Sequence, residues 1–370
     1  MYIPMFKGRE RVEYNAIRKI RNLFSNEVIP LVEILKENHK KEIDYDPVTK
    51  MPKISIKNGR RYKVYKEDSD KNINTLEYLN DMVDGHTIFI DYFRYSIEKY
   101  GVNINVKGTS LSFKLNDNQD LYFEKLKSLD NYPNMIPVIS IKKDYEIAKS
   151  NLKELISDLQ AKKPTIAIRI TDELFDKYDD LIQEFLRESD YLLFDIENQK
   201  PETKFLELEE IGLDNNNRYK KILICATRGP LLNSRYPEKG VTDLIYTNTK
   251  AEAEAYNFDG FGDYCGLKDD LPTISGGNKG AAIALFYDAK TEKFYSYVEK
   301  DTSLGQKGYK KLVPIIISDA EILDENNNCP VFKSILESYE VGNYGGWCTW
   351  KTYCIIRYID QVIKQMNNKK

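Results

Sequence analysis

Histidine is almost missing from this chain of 370 residues, which has only His39 and His86. Two histidines do not build a histidine-rich metal centre. The five cysteines, at 225, 265, 329, 348 and 354, include no CxxC pair, so zinc spacing is missing as well. An odd number of cysteines without framework spacing reads as reduced thiols used mostly for packing. No G-x-S-x-G elbow occurs, which removes the usual nucleophile of a Ser/His/Asp hydrolase. No apolar run approaches the roughly 18 residues of a membrane span. The opening MYIPMFKGRERVEYNAIRKI has no basic stretch followed by a long apolar one, so a cytoplasmic protein outside the membrane is expected. Positive charge is not in excess either. A net charge of −3 argues against a surface that is nucleic-acid-binding throughout, and leaves room for a local basic patch. Internal repeats, low-complexity tracts and clear linkers are also lacking.

What is present is apolar material for a large core: 41% hydrophobic residues, with 27 tyrosines and 15 phenylalanines. Short runs rich in β-branched residues recur, most of them separated by amphipathic stretches such as YEIAKSNLKELISDLQ, the pattern of parallel βα units. They are VIPLVEIL (28–35), HTIFIDYF (86–93), MIPVISI (135–141), PTIAIRI (164–170), YLLFDIE (191–197), KILICAT (221–227) and DGFGDYCGL (259–267), with GAAIALFYD (280–288) as an eighth. The expectation is one α/β domain over 1–370, a (β/α)8-barrel-like parallel sheet, with an open doubly wound sheet as the alternative.

Two segments interrupt this alternation. PKISIKNGRRYKVYK (52–66) alternates around Asn58-Gly59, and NINVKGTSLSFKL, within 102–116, alternates around Gly108. Both are predicted to be β-hairpins outside the barrel. KFYSYVEK is predicted to pair with GAAIALFYD, and helices near 331–339 and 348–366 belong to a cap over 290–370 that plugs or covers the barrel.

In such a barrel the carboxyl ends of the strands share one face, where barrel enzymes place their active sites. The predicted strands deliver Glu33; Asp91, with Arg94 beyond it; Ser140 and Lys142; Arg169; Asp195 and Glu197; Arg228; and Asp263 with Tyr264. Side chains alternate along a strand, so Asp195 and Glu197 are expected to point the same way. Carboxylates beside guanidiniums suit phosphate chemistry. Asp91, Asp195, Glu197 and Asp263 would act as general base or, in a Mg²⁺-dependent version of the reaction, hold Mg²⁺; the residues fix no cofactor beyond that option. Arg169 and Arg228 would bind phosphate, with Glu33, Lys142 and Tyr264 completing the binding site. The competing reading is structural: the arginines neutralise the carboxylates within the top layer of the barrel. No dedicated metal centre is read from the residues.

Weaker signals have plain explanations. His86 sits in a DGH turn and reads as a capping or surface residue. ISGGNKGA (274–281) lacks the P-loop pattern and reads as a turn, although its backbone N–H groups suit an anion. The hairpin at 52–66 mixes Lys53, Lys57, Arg60, Arg61, Lys63 and Lys66 with Tyr62 and Tyr65, which suits either nucleic-acid contact or a solvated face. Tyr344, Trp347 and Trp350 suit packing or a partner surface.

The opening YIPMFKGRERVEYNAIRKI with VIPLVEIL, the strand ends IAIRIT and LLFDIE, the FGDYCG element and GNYGGWCTWKTY together resemble the Beta protein family of phages and bacteria. The matching positions are Lys7, Gly8, Glu33, Arg169, Asp195, Gly262, Asp263, Tyr264 and Trp350. The resemblance implies a barrel-type α/β chain and, from the gene neighbourhoods of some relatives, a part in phage–host conflict. It brings no catalytic mechanism. Where relatives are expected to carry paired histidines after the tryptophan, this chain reads TYCIIRYID. Two functions follow. One is a phosphodiesterase or nuclease-like hydrolase. The other is a non-catalytic sensor or adaptor that binds a phage protein, nucleic acid or nucleotide and signals to a partner encoded nearby. Carboxylates free to converge on one point would favour the first, and carboxylates each neutralised by a cation the second.

Overall fold

Apolar and β-branched runs buried along nearly their whole length form the centre of the protein, whose computed structural model describes residues 1–66, 72–213, 218–274, 280–323 and 329–368. In chain order the strands are β1 (Tyr2–Phe6), β2 (Leu31–Ile34), β3 (Ile54–Lys57), β4 (Arg60–Lys63), β5 (Ile88–Tyr92), β6 (Met135–Ile141) and β7 (Ala167–Thr171). There follow β8 (Tyr191–Asp195), β9 (Lys220–Ile224), β10 (Lys239–Thr242), β11 (Gly260–Asp263), β12 (Ala282–Asp288) and β13 (Lys293–Glu299). Eight of them close into a barrel in the order β1-β11-β9-β8-β7-β6-β5-β2, with every neighbouring pair parallel. Helices such as Lys149–Lys162 and Phe175–Phe185 cross between strands and bury one apolar face, as the alternating pattern predicts.

The barrel's membership differs from the sequence expectation at one strand. GAAIALFYD is not a barrel strand: β12 pairs antiparallel with β13, which pairs antiparallel with β10, in a separate three-stranded sheet. The four residues between β12 and β13 leave no room for the crossover that a parallel connection needs, so the hairpin signal overrides the strand count. The missing barrel strand is the opening YIPMF. β1 hydrogen-bonds to β11 on one side and β2 on the other, and so closes the ring. Five residues interrupted by Pro4 make a weak strand signal, and burial on both faces removes the alternation that would reveal it.

The hairpin at 52–66 is present as β3 and β4, with Asn58 at φ 49° and Gly59 at φ 75°, the left-handed pair that a two-residue turn needs. The segment 102–116 is not a hairpin. It forms a 3₁₀ turn, Val106–Thr109, and a helix, Ser110–Asn116. The Asn105 side chain accepts the Gly108 N–H, and Leu111 and Leu115, four residues apart, are buried while Phe113 between them is exposed. Helical spacing with a capping side chain competes here with a period-two reading of the same letters.

The C-terminal helix, Trp347–Asn368, does not plug the barrel. Its start lies beside Arg228 at the carboxyl ends of the strands, and Met366 lies beside Met1 and Gly260 at their amino ends. It therefore runs along the outer side of the barrel, against β12 and the helical turns over 10–20. One contiguous buried apolar cluster joins barrel, outer sheet and helix.

Asp263 belongs to this outer contact and not to the barrel mouth. On β11 the glycines 260 and 262 face the crowded interior: a Cβ on Gly262 would fall 2.5 Å from Ile224 Cδ1. Asp263, one residue on, points to the helix layer, where Oδ2 accepts the Tyr358 hydroxyl at 2.6 Å. Its Oδ1 accepts the Tyr2 hydroxyl at 3.1 Å and the Cys265 N–H at 2.8 Å. Burial pushes the Asp263 carboxyl up from 3.8 to about 6, against these three hydrogen bonds, which favour the ionised form. The folded protein thus holds this proton more tightly than the unfolded chain does. The resulting stability is fully present below about pH 4 and is lost as the pH rises through about 6. Compared with Asp263→Asn, which does not titrate, the wild type should lose roughly 2 kcal/mol between pH 4 and pH 7 in chemical denaturation. A pH-independent difference would show that the buried carboxyl carries no such shift.

Candidate functional site

At the carboxyl face, the inward-pointing positions of five neighbouring strands carry polar groups. Register sets them side by side: Glu33 on β2 opposes Asp91 on β5, Ser140 on β6 opposes Arg169 on β7, and Thr171 opposes Asp195 on β8. Arg169 is the hub. Its Nη1 lies 2.6 Å from Glu33 Oε1 and 3.0 Å from Asp91 Oδ2, and its Nη2 lies 2.6 Å from Asp195 Oδ2. The Ser140 hydroxyl donates to Asp91 at 2.8 Å, and the Tyr264 hydroxyl donates to Glu33 at 2.8 Å. All of these residues are buried.

A second cation completes the network. Lys7, the residue after β1, has no exposed surface and lies 2.8 Å from Glu33 Oε2 and 2.6 Å from Asp269 Oδ1. Its ammonium also sits 3.8 Å from the centre of the Phe93 ring. Lys99 bridges Asp269, at 2.9 Å, to Glu197, at 2.7 Å. Burial pushes the Asp269 carboxyl up, but Lys7 and then Lys99 outweigh it and hold the group well below the usual carboxylate range. The same opposition, won by Lys7 and Arg169, lowers Glu33. Lys142 behaves in the opposite sense. Burial and then the nearby Arg169 guanidinium push its ammonium down to about 8, and it rests over the Phe93 ring at 3.9 Å.

The sequence-predicted residues therefore separate into groups. Glu33, Asp91, Ser140, Arg169, Asp195 and Tyr264 converge as expected, with Lys142 at their edge. Glu197 does not point with Asp195: β8 ends at Asp195, Glu197 turns into the left-handed region at φ 54°, and its side chain is partly exposed on Lys99. Arg94 points back, donates to the Ser140 carbonyl at 2.8 Å and lies over the Tyr122 ring. Arg228 is in a different place, a cleft between the barrel and the outer sheet, where it donates to the Tyr236 hydroxyl at 2.9 Å. Asp263 faces outward, as described above. Lys7, Lys99, Asp269 and Tyr100, whose hydroxyl donates to Asp269 at 3.0 Å, were missed as members of the network. Lys7 alone had a readable signal, the residue directly after a buried strand, and that strand was itself unread.

These contacts decide what the ring can do. The oxygens that would bind a cation are already occupied: one guanidinium spans Glu33, Asp91 and Asp195, and Asp195 Oδ1 accepts the Glu197 N–H at 2.9 Å. Among the described residues Asp91 Oδ1 has no hydrogen-bond partner, but a single oxygen is far from the near-octahedral shell of Mg²⁺. Among the described residues no group of three His, Cys, Asp or Glu side chains could hold a metal ion. The ring does not fit Mg²⁺. Above it lies a cavity of about 250 Å³, lined by Arg94, Lys99, Lys142, Thr171, Glu173 and Glu197 among others, with charges of both signs.

Among the described residues, no helix is long and apolar enough to cross a membrane. No curated protein and no solved structure matches the chain. The barrel closed by the opening YIPMF, with Lys7, Glu33, Arg169, Asp195 and Tyr264 joined at its mouth, accounts for why the scattered segments that carry the resemblance occur together. A model of the Beta protein family matches residues 2–363, nearly the whole length, and the chain belongs to that family.

Proposed function

We propose that the protein is a non-catalytic recognition module that binds an anionic ligand at the carboxyl face of its barrel, rather than a phosphodiesterase. The observation that carries this reading is the three-way bridge of Arg169 to Glu33, Asp91 and Asp195. A general base or metal ligand needs a carboxylate that is free to accept a proton or a cation, and here a buried guanidinium already holds those oxygens. The ring then serves as a rigid floor, and recognition falls to the clefts at its rim. A part in phage–host conflict, with a partner encoded nearby, is the setting that family membership suggests for such a sensor.

Three outcomes are expected. Arg169→Ala leaves three buried carboxylates facing one another and should cost roughly 3–5 kcal/mol in denaturant melts. A cost below about 1 kcal/mol would mean that the ring is open to solvent. The purified wild type should not turn over bis-p-nitrophenyl phosphate or single-stranded DNA with or without Mg²⁺. Mg²⁺-dependent cleavage that Asp91→Asn abolishes while the melting temperature stays unchanged would replace the recognition reading with the hydrolase. In a bacterial host carrying the gene with its neighbours, phage plating should change when the gene is deleted, and equal plating would remove the conflict role.

A further inference from the structure

The cleft that holds Arg228 lies where the loops after β1, β9 and β11 meet the outer sheet and the start of the C-terminal helix. It encloses about 380 Å³, within the range of small-ligand sites. Four cations line it: Arg9, Arg228, Lys268 and Lys351. Among the described residues, Arg9 alone of the four is ion-paired, with Asp270 at 2.7 Å and Glu13 at 2.8 Å. Arg228 is 5% exposed, yet its hydrogen-bond partners are neutral: the Tyr236 hydroxyl, the Asn233 amide oxygen and the Gly266 carbonyl. Lys268 donates to the Leu231 carbonyl, and neither it nor Lys351 forms an ion pair among the described residues. Burial and then Arg228 push the Lys268 ammonium down, and burial and then Arg9 do the same to Lys351. Arg228, Lys268 and Lys351 thus share one space without an ion pair of their own among the described residues, and the four cations of the cleft outnumber the two carboxylates beside them, Asp270 and Glu13, an excess that an anion relieves.

Two further features narrow the ligand. In chain order around the barrel, Arg228 follows the seventh strand and Lys268 the eighth, and the 22-residue helix begins at Trp347 on the cleft wall. Phosphate groups recur at this position in (β/α)8 barrels, between those loops and an added helix start, because the unpaired N–H groups there favour an anion. The other wall is apolar and aromatic. Tyr309 and Trp350 stack on each other at 5.2 Å and are buried, whereas Trp347 is half-buried, lines the cleft and, among the described residues, stacks on no other ring. A flat ring laid on Trp347 beside Leu267 and Leu285 would occupy that wall while a phosphate took the cations.

On the reading that the protein is a recognition module, we propose that this cleft binds a nucleotide, its phosphate held by Arg228, Lys268 and Lys351 and its base laid against Trp347. Trp347 and Trp350 are the only tryptophans, so intrinsic fluorescence reports directly on the site. Full-length protein titrated with AMP, GMP, CMP and UMP should show saturable quenching for at least one of them, with adenosine or guanosine and inorganic phosphate each binding at least ten-fold more weakly than that nucleotide. Lys351→Met, which breaks no ion pair, should weaken binding at least ten-fold with an unchanged melting temperature, and Trp347→Leu should do so when binding is followed by calorimetry. No saturable binding of any of the four, equal affinity for inorganic phosphate, or wild-type affinity in both variants would overturn the proposal. Cleavage of the bound nucleotide would overturn the non-catalytic reading instead and leave the cleft assignment standing.

Discussion

The guanidinium of Arg169 is the centre on which the mouth of this barrel depends. Three carboxylates from three strands point into a space closed to water, and left alone they would repel one another and carry the desolvation cost of buried charge. Arg169 reaches all three at 2.6–3.0 Å, and Lys7 takes the remaining oxygen of Glu33. Such a network adds little stability over apolar packing of the same volume, but it is intolerant of misplacement. A slip of one residue in β2, β5, β7 or β8 would turn a charged side chain outward among the helices and strand its partner. The network therefore fixes register, and it does so between strands far apart in sequence: Glu33 and Arg169 are 136 residues apart.

That use of charge has a consequence for chemistry. A barrel interior is a packed core, and side chains committed to neutralising one another are poor acids, bases or ligands. The unbalanced charge lies at the rim, where Arg228, Lys268 and Lys351 share a cleft and where burial and then Arg169 push the Lys142 ammonium down. The mouth holds its ions in pairs, whereas the cleft beside it holds more cations than carboxylates. Those two environments explain why residues of the same chemical type, Arg169 and Arg228, have different roles.

Most of the barrel was legible in the sequence because seven of its strands are β-branched or aromatic runs separated by helical periodicity. The eighth, β1, was not: a five-residue strand buried on both faces has no period to read, and the longer apolar run at 280–288 took its place. The ring was legible where alternation within a strand held, as for Glu33, Asp91, Arg169 and Asp195. It failed where the strand stopped before the residue in question. Glu197 lies two residues past the end of β8 in a left-handed turn, and Arg228 lies four past the end of β9. Asp269 and Lys99 come from loops, whose approach to the mouth depends on tertiary packing that no local pattern encodes.

The two neighbours Asp263 and Tyr264 show how one residue of phase divides structure from site. Tyr264 points into the barrel and binds Glu33, while Asp263 points out and takes the hydroxyl of Tyr358 from the C-terminal helix. That outward contact has an effect at the rim. Tyr358 lies eleven residues after Trp347, so about 16 Å of helix separates the buried anchor from the helix start at the cleft. A helix held at Tyr358, and again where Arg357 donates to the Tyr287 carbonyl at 2.9 Å, has little freedom to rotate. Its first turn must therefore present Trp347 and Lys351 to the same space as Arg228. The carboxylate that the sequence offered as a catalyst thus acts at a distance, as the fixed point that orients the aromatic and cationic wall of the cleft.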